Sequence, residues 1–307
     1  QAEEADRRLS AGQGGPLTGI PVQIKDGICT KGIRTTFGSP LFAENIPSDD
    51  APMVARMKAA GAIQLGKTNT PTFGWLGVTQ NLLFGVTRNP WNKALTPGGS
   101  SGGAGAALAA GLGPIAIGTD GGGSIRIPSS FSGVFGIKPS FGRVPVSPPS
   151  GAWSLSHIGP MARTVEDAAL ALQVSAGPDV RDQYSLPHSG VDYLKNLRGS
   201  LKGWRIAWSD DLGFTKAMDP EVRSICARAA RRFRDFGCRV DTVKPGWSNP
   251  QRAWEGLFCG GIAARLEGAL RKTRASIDPG LVKLIEKSQG WKRGHYIDSW
   301  FKRLDWN

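Results

Sequence analysis

The stretch at residues 96–145 constrains the fold most, because its glycines and alanines leave almost no side-chain volume between neighbouring backbones. Glycines precede and interrupt an alanine-rich run at 106–110, which predicts a closely packed, buried helix. Gly111, Gly113 and Pro114 end that helix, and the sequence IAIG after them favours a strand. We therefore expect a buried helix followed directly by a strand.

A polar turn at 119–124 contains three consecutive glycines and ends in Ser124, just before a second helix that Pro128 marks. Free N–H groups and the positive end of the helix dipole converge at such a position and favour negative charge. The glycines let successive amides face one point, directly before a hydroxyl. The pattern indicates either a nucleophile beside its oxyanion hole or an ordinary glycine-rich turn before a helix.

The composition is that of a globular protein. The 307 residues are 40% hydrophobic and 21% charged, which suffices for one large α/β domain or two smaller ones. No apolar run approaches the roughly 18 residues that cross a bilayer, and the charged segment QAEEADRRLS is unlike a secretory signal. We expect a cytoplasmic protein without membrane contact.

The net charge of +13 raises the question of a nucleic-acid partner. The basic residues are dispersed, and their densest group lies in a predicted helix at 221–237. Ile225, Ala229 and Phe233 form the apolar face of that segment, which places its arginines on a solvated face. The group consists of Arg223, Arg228, Arg231, Arg232 and Arg234. We expect no nucleic-acid partner.

The cysteines and histidines lack metal-ligand spacing. Without a C-x-x-C pair, the four cysteines predict free thiols in or near the core rather than a zinc site or a disulfide framework. The three histidines are distant in sequence, and we expect a structural or surface role for them. These residues are Cys29, Cys226, Cys238, Cys259, His157, His188 and His295. We expect neither a metal nor a cofactor.

Two short motifs match other enzyme classes in the wrong context. Residues 61–68, GAIQLGKT, fit the phosphate-loop pattern, but a predicted helix at 51–60 precedes them and AIQL predicts a short buried strand. Residues 99–103 fit the G-x-S-x-G elbow around Ser101, but an irregular polar loop replaces the required hydrophobic strand. We therefore expect neither nucleotide hydrolysis nor a serine–histidine–aspartate site, and His157 receives no catalytic role.

The segment 19–28, GIPVQIKDGI, predicts a strand with Lys25 near its inner end. The pattern alone allows an edge lysine that reaches solvent or a functional lysine on a buried strand. A helix is predicted from its N-cap Thr164 up to Gly177, and strands are predicted at 204–213 and 238–243. The alternation of helices and strands therefore continues along the chain.

The blocks GGSSGG, GTDGGGSIR and GIKPSFGRVP resemble the signature of the amidase signature family of serine hydrolases. GIPVQIKD, GKTNTP and LFGVTRNPW resemble the family's upstream blocks in the same order, and the resemblance is close over 19–176. It implies an α/β fold whose central mixed sheet is covered by helices on both faces (α/β/α). We expect one domain over 1–307, with 178–307 as an appended half-layer that shapes the substrate entrance. Family members are longer, and Gln1 stands in place of an initiator methionine, so we expect a chain incomplete at both ends.

The resemblance also implies a mechanism: Lys25 is the base, Ser100 the relay, held in a cis peptide bond with Gly99, and Ser124 the nucleophile. Lys25 must then be neutral, so its surroundings must lower its pKa from about 10.4. The implied oxyanion hole comprises Gly121, Gly122, Gly123 and Ser124. The implied substrate-binding residues are Gly74, Trp75, Leu76 and Ser100. The implied supporting residues are Ser101, Thr119, Asp120 and Arg126.

Three functions follow from the sequence. We favour a stand-alone amidase that hydrolyses the C–N bond of a small acyl or aryl amide through a Ser124 acyl-enzyme. The second is the glutamine-hydrolysing component of a tRNA-dependent amidotransferase, whose relatives usually carry Gln where this chain has Ile127. The third is a catalytically silent binding or scaffold member. The expected partner is a small-molecule amide, with a homodimer as one arrangement that the sequence allows.

Overall fold

The computed structural model describes residues 1–150, 152–291 and 294–304. Its strands are β1 Pro21–Lys25, β2 Ile63–Thr68, β3 Gln80–Asn81, β4 Gly85–Val86, β5 Ile115–Asp120, β6 Phe135–Gly136, β7 His157–Ala162, β8 Arg205–Trp208 and β9 Arg239–Thr242. Within the described ranges, five of them form a central mixed sheet in the order β2-β1-β5-β7-β6. β1 runs parallel to β2 and β5, whereas β7 is antiparallel to β5 and β6. The mixed sheet confirms that part of the expected fold.

Helices cover both faces of this sheet. The helices of the described ranges are α1 Ala2–Ser10, α2 Pro52–Ala59, α3 Gly102–Ala109, α4 Arg126–Ser132, α5 Val165–Ser175, α6 Tyr193–Asn196, α7 Pro220–Arg231, α8 Gln251–Thr273, α9 Pro279–Gln289 and α10 Gly294–Leu304. On one face, α2 and α5 bury an apolar cluster that includes Ile115 and Ile117 of β5. On the other face, α3 and Ile125 pack against Ala116 and Met161. Successive side chains of a strand point to opposite faces, so β5 supplies both cores, as the α/β/α expectation requires.

Helix α3 is the buried helix predicted from the alanine-rich run, and it begins earlier, at Gly102. A Cβ atom on Gly103 would lie 2.3 Å from the backbone nitrogen of Asn69 and 2.6 Å from its carbonyl oxygen. Backbone atoms cannot move aside as a flexible side chain can, so only glycine fits there. This close approach holds α3 against the chain that leaves β2.

Replacing Gly103 with alanine is expected to lower the free energy of unfolding by about 1–3 kcal/mol, because the added methyl group overpacks the site. Gly268 of α8 provides the matched control, since nothing lies within 4 Å of a Cβ atom built there. Gly268→Ala should raise stability by about 0.5–1 kcal/mol, since alanine loses less backbone entropy in a helix. Urea denaturation of both variants measures the contrast. Equal shifts would contradict the packing argument.

The strand predicted at 62–65 is present as β2, but the prediction that it is buried is wrong. β2 is an edge strand, and Leu65 is 54% exposed. The strand also extends through Gly66, Lys67 and Thr68, the residues that a phosphate loop would place in a turn and a helix. This extended backbone is inconsistent with a phosphate loop at 61–68.

The β8–β9 pair forms its own parallel two-stranded sheet rather than extending the central one. The helix predicted at 221–237 is α7 followed by a 3₁₀ turn at Arg232–Phe236. Its arginines are exposed as expected, but its supposed apolar face is exposed as well: Ile225 is 48% and Phe233 39% exposed. A two-stranded sheet is too small to cover a whole helix face.

The cysteines lie in different environments. Cys238 and Cys259 are buried and Cys29 is half-buried, but Cys226 on α7 is exposed, so the core prediction is wrong for that residue. No three histidine, cysteine, aspartate or glutamate side chains cluster as metal ligands within the described ranges. Across the same residues, no helix combines the length and apolar character needed to cross a membrane.

Candidate active site

Lys25 and Ser100 form a buried pair at the end of β1. The Nζ atom of Lys25 lies 2.6 Å from Ser100 Oγ and 2.7 Å from Thr119 Oγ1. Both Lys25 and Ser100 are 1% exposed. The Gly99–Ser100 peptide bond is cis, as the family resemblance implies. The structure excludes the edge-lysine interpretation of Lys25, because the side chain is buried against a hydroxyl and does not reach solvent.

Burial lowers the pKa of Lys25 to about 7, against an opposing effect of the nearby Asp120 carboxylate. An ammonium group loses its hydration on burial, so the neutral amine is favoured. A neutral Nζ carries a lone pair that can accept the proton of Ser100 Oγ and two hydrogens, one of which can be donated to Thr119 Oγ1. The pair therefore meets the requirement for a lysine base near neutral pH.

The pKa of Lys25 predicts the pH dependence of hydrolysis. Only the neutral amine accepts a proton, so kcat/KM should rise about tenfold per pH unit below pH 7 and level off above it. Initial rates between pH 5 and 9 on an uncharged amide measure this profile. A kcat/KM that falls as pH rises through 7 would contradict the role of Lys25. Burial also lowers the pKa of His157, so the His157→Gln variant must retain the inflection if Lys25 causes it.

Ser124 lies directly before α4 and lines the same cavity as Lys25 and Ser100. Its carbonyl oxygen accepts a hydrogen bond from the N–H of Ser101 at 3.1 Å. Ser101 Oγ lies 3.2 Å from both the N–H and the carbonyl of Thr119. The buried hydroxyl of Ser101 therefore ties the start of α3 to β5, and its N–H ties that start to the Ser124 turn. Ser101 does not line the cavity, and its supporting role stays a prediction with which these hydrogen bonds agree.

Asp120 holds the glycine turn through its carboxylate. Arg126 donates to it from Nε and from a terminal nitrogen, both at 2.9 Å, and the N–H groups of Gly123 and Ile125 donate at 2.7 and 3.2 Å. Burial raises the pKa of this carboxyl, but the hydrogen bonds and charge of Arg126, with those two N–H groups, outweigh it and hold the pKa at about 2. Asp120 and Arg126 are thus an ion pair that fixes the turn.

This geometry removes Gly123 from the predicted oxyanion donors, because its N–H is already bound to Asp120 Oδ1. Among the described residues, the N–H groups of Gly121, Gly122 and Ser124 make no backbone hydrogen bond. The amides of these three residues are therefore the available donors. Aspartate side chains in turns commonly accept a hydrogen bond from a backbone N–H a few residues later, as Asp120 does from Gly123. An aspartate directly before the glycines was therefore the feature of the sequence that could have predicted this bond.

A cavity of about 480 Å³ opens above Lys25, Ser100 and Ser124. Gly74 lines it, with φ +70° and a position where a Cβ atom would lie 3.2 Å from Ser100 Oγ. Trp75 and Leu76 do not line it, which corrects their assignment to the substrate pocket. Trp75 instead packs in the apolar cluster formed by α8 and α9, where its ring would meet a Cβ atom on Gly280 at 2.6 Å.

The apolar wall of the cavity comes mainly from residues that the sequence analysis did not identify. Phe37, Phe42 and Phe73 pack together with ring centroids 5.3–6.5 Å apart. Helix α8 adds a stripe at four-residue spacing, consisting of Phe258, Ile262 and Leu266. That spacing places them on one helix face and was the available signal. The half-layer 178–307 thus contributes a wall of the cavity through α8.

His157 contacts the backbone at the start of the glycine turn. Its Nδ1 is 2.8 Å from the carbonyl oxygen of Leu155 and 3.1 Å from that of Asp120. Carbonyl oxygens only accept hydrogen bonds, so Nδ1 carries the hydrogen. His157 lines the cavity and packs edge-on against Phe141. Its Nδ1 is occupied by backbone carbonyls, the ring is adjacent to the candidate site, and its structural role stays a prediction.

These features define an α/β protein with a buried lysine–serine pair beneath a glycine-rich turn. The family model described as Amidase matches residues 1–305, and the chain belongs to this family, as the sequence motifs indicate.

Individual relatives agree with this assignment. An acylamidase from Rhodococcus erythropolis is 41% identical over 292 residues, which cover 94% of this chain and 61% of that protein. The A-type component of the glutamyl-tRNA(Gln) amidotransferase of Roseiflexus sp. (strain RS-1) is 47% identical over 244 residues, covering 79% and 50% of the two chains. The crystal structure of a bacterial aryl acylamidase of the amidase signature family superimposes with a TM-score of 0.91 at 31% identity, covering 99% of this chain and 65% of that one. The chain thus spans about half to two thirds of the length of these relatives.

Proposed function

We propose that this protein hydrolyses carboxylic amides through an acyl-enzyme on Ser124. In the first step, Ser124 Oγ attacks the amide carbonyl carbon and passes its proton to Ser100 Oγ, whose own proton moves to neutral Lys25 Nζ. A C–O bond forms, and the carbonyl π pair moves to oxygen. The 2.6 Å contact between Lys25 and Ser100, both fully buried, is the observation that carries this proposal.

The tetrahedral intermediate then collapses. The electron pair on oxygen re-forms the carbonyl, the C–N bond breaks, and the relay returns a proton from Lys25 through Ser100 to the departing nitrogen. Water next attacks the acyl ester, gives a proton to the same relay and releases the carboxylic acid, while Ser124 recovers its proton. Lysine ends each half-reaction neutral, so the pKa of about 7 suits both directions of transfer.

The negative charge on the intermediate needs donors on the side away from the relay. The amides of Gly121, Gly122 and Ser124 supply them in this proposal, next to the N-terminus of α4. Arg126 is bound to Asp120 and is therefore a structural cation rather than an oxyanion donor.

The cavity favours an uncharged, apolar acyl group. Phe37, Phe42 and Phe73 on one side and the α8 stripe on the other present aromatic and aliphatic surface. Moving such a group from water into the cavity is favourable by roughly 0.8 kcal/mol for each buried methylene. This chemistry agrees with the acylamidase and aryl acylamidase relatives.

Glutamine hydrolysis is the second candidate, favoured by the relatedness to the glutamyl-tRNA(Gln) amidotransferase component. Free glutamine carries an α-ammonium and an α-carboxylate, and each requires a counter-charge when desolvated. Arg265 at the cavity could pair with the carboxylate, whereas the carboxylate that the described residues place in the wall is Asp120, which is buried and bound by Arg126. The ammonium would thus lack a partner, and an apolar amide fits better.

The test compares the anilide of a medium-length fatty acid with free glutamine, using purified protein and the Ser124→Ala variant as background. We expect kcat/KM at least about 100-fold higher for the anilide, because glutamine leaves a buried charge unpaired. Release of ammonia from glutamine at a higher kcat/KM than aniline from the anilide would overturn this preference and establish the glutaminase reading. Turnover of neither substrate above background would count against the hydrolytic function itself.

A further inference from the structure

Three carbonyl groups of the glycine turn between β5 and α4 lie within hydrogen-bond distance of donors outside the turn. Asp120 O faces His157 Nδ1 at 3.1 Å, and Gly121 O accepts from Trp254 Nε1 at 2.9 Å. Gly123 O accepts a hydrogen bond at 2.6 Å from the N–H of Ile127, which lies in the first turn of α4. The N–H groups of Gly121, Gly122 and Ser124 therefore each follow a carbonyl group that a hydrogen bond holds in place.

Each of these hydrogen bonds sets the direction of one N–H group because the peptide unit is planar and trans. In such a unit, the carbonyl of one residue and the N–H of the next point in opposite directions. Fixing Gly121 O on the indole of Trp254 therefore directs the N–H of Gly122 away from that indole. In the same way, His157 sets the direction of the Gly121 N–H by binding the Asp120 carbonyl. The N–H of Ile127 in α4 sets the direction of the Ser124 N–H by binding the Gly123 carbonyl.

Trp254 contacts the glycine turn from a distant part of the chain. It lies on α8, 133 residues from Gly121, and stacks on Phe258 with ring centroids 4.7 Å apart and planes at 15°. A Cβ atom on Gly122 would lie 2.9 Å from the indole nitrogen. The indole thus presses against Gly122 while its N–H binds the preceding carbonyl, and its stacking partner lines the acyl cavity.

We propose that Trp254 is a positioning residue for catalysis: by holding the Gly121 carbonyl, it aims the Gly122 N–H at the oxyanion formed during hydrolysis. This inference rests on the proposed function and adds to it a residue outside the signature motifs. An oxyanion donor acts mainly in the transition state. Loss of the hydrogen bond should consequently reduce kcat and leave KM almost unchanged.

The test uses Trp254→Phe, which keeps an aromatic ring on Phe258 and removes the N–H donor. Trp204→Phe is the matched control, because Trp204 is 59% exposed beside β8 and absent from the cavity wall. The readouts are kcat and KM on the anilide and the inhibition constant of a trifluoromethyl ketone with the same acyl group. Ser124 adds to this ketone and forms a stable oxyanion, which reports on the donors directly.

We expect Trp254→Phe to lower kcat and the affinity for the ketone by a similar factor, about 10- to 100-fold, with KM within about threefold of wild type. Gly122→Ala should give the same signature with Trp254 present, since its methyl group displaces the indole. That second variant keeps the test decisive if Trp254→Phe does not fold. Trp204→Phe should match wild type in all three quantities.

Two results would overturn the positioning role. One is a Trp254→Phe variant with wild-type kcat and ketone affinity. The other is an increase in KM at unchanged kcat, which would mean that Trp254 only shapes the acyl pocket. If wild-type protein fails to react with the ketone and with fluorophosphonates, the proposed function fails instead, independently of Trp254.

Discussion

Lys25→Met should abolish most amide hydrolysis, with kcat/KM reduced by about 10²- to 10⁴-fold at pH 8, as expected for loss of a general base. Methionine has nearly the length of lysine and suits a buried, apolar position, so the fold should persist. The measurement is steady-state hydrolysis together with urea denaturation. Since an unprotonated lysine would no longer be needed, residual activity should also lose its inflection near pH 7.

Lys67→Met provides the matched control on the neighbouring strand. Lys67 lies on β2 opposite Ile24 of β1, and burial lowers its pKa to about 8, so it is a second lysine of this sheet whose pKa is lowered by burial. Its Nζ binds the Ile28 carbonyl and Thr30 rather than Ser100, and it does not line the cavity. We expect lower stability and nearly wild-type kcat. Equal losses of activity in the two variants would show that the effect comes from removing any fully or partly buried lysine of this sheet.

Asp120→Asn is expected to damage both the fold and the reaction. The amide replaces one acceptor oxygen with a donor that faces the N–H groups of Arg126 and the turn. Hydrogen bonds to charged groups contribute about 1.5–3 kcal/mol each, and we expect a loss of about 3 kcal/mol in unfolding free energy. Because the same contacts fix Gly123, kcat should fall about 100-fold even in the folded fraction.

Asp179→Asn is the matched control for the losses of stability and of kcat expected in Asp120→Asn. Asp179 also has its pKa held at about 2, mainly by the hydrogen bond from Arg181, but the Arg181 side chain is 42% exposed and the pair does not line the cavity. Exposed ion pairs contribute only about 0–1 kcal/mol, so this variant should be nearly as stable as wild type. Its kcat should be unchanged. A full-activity Asp120→Asn enzyme would refute the role of the ion pair in shaping the site.

Local patterns predicted much of this fold because they reflect short-range physics. The alanine run predicted α3, and the side chain of Thr164 accepts the N–H of Asp167 at 3.1 Å as the expected N-cap of α5. The alternation around Lys25 predicted β1. The patterns did not predict exposure correctly. The sequence predicted a buried strand for β2 and a covered apolar face for α7, yet the burial of both elements depends on which neighbours cover them.

The candidate site was also predictable from the sequence only where local motifs form it. Motifs suggested Lys25, Ser100 and Ser124, and the structure brings all three to one cavity. The α8 stripe lines that cavity from a distant part of the chain, and Trp254 of the same helix binds the Gly121 carbonyl across 133 residues. No local spacing encodes such a contact, since it arises only when α8 packs against the glycine turn. The family resemblance implied a pocket position for Trp75, but a matching motif does not fix the direction of a side chain, and Trp75 packs in the cluster of α8 and α9.

The most direct measurement of the central claim is intact-mass labelling with a fluorophosphonate, followed by peptide mapping of the adduct. In this reaction the activated serine oxygen bonds to phosphorus and fluoride leaves. We expect one adduct on Ser124 in wild-type protein, none in Ser124→Ala and strongly slowed labelling in Lys25→Met. An adduct on Ser101, or no adduct on folded wild-type protein, would contradict the proposed Lys25–Ser100–Ser124 mechanism.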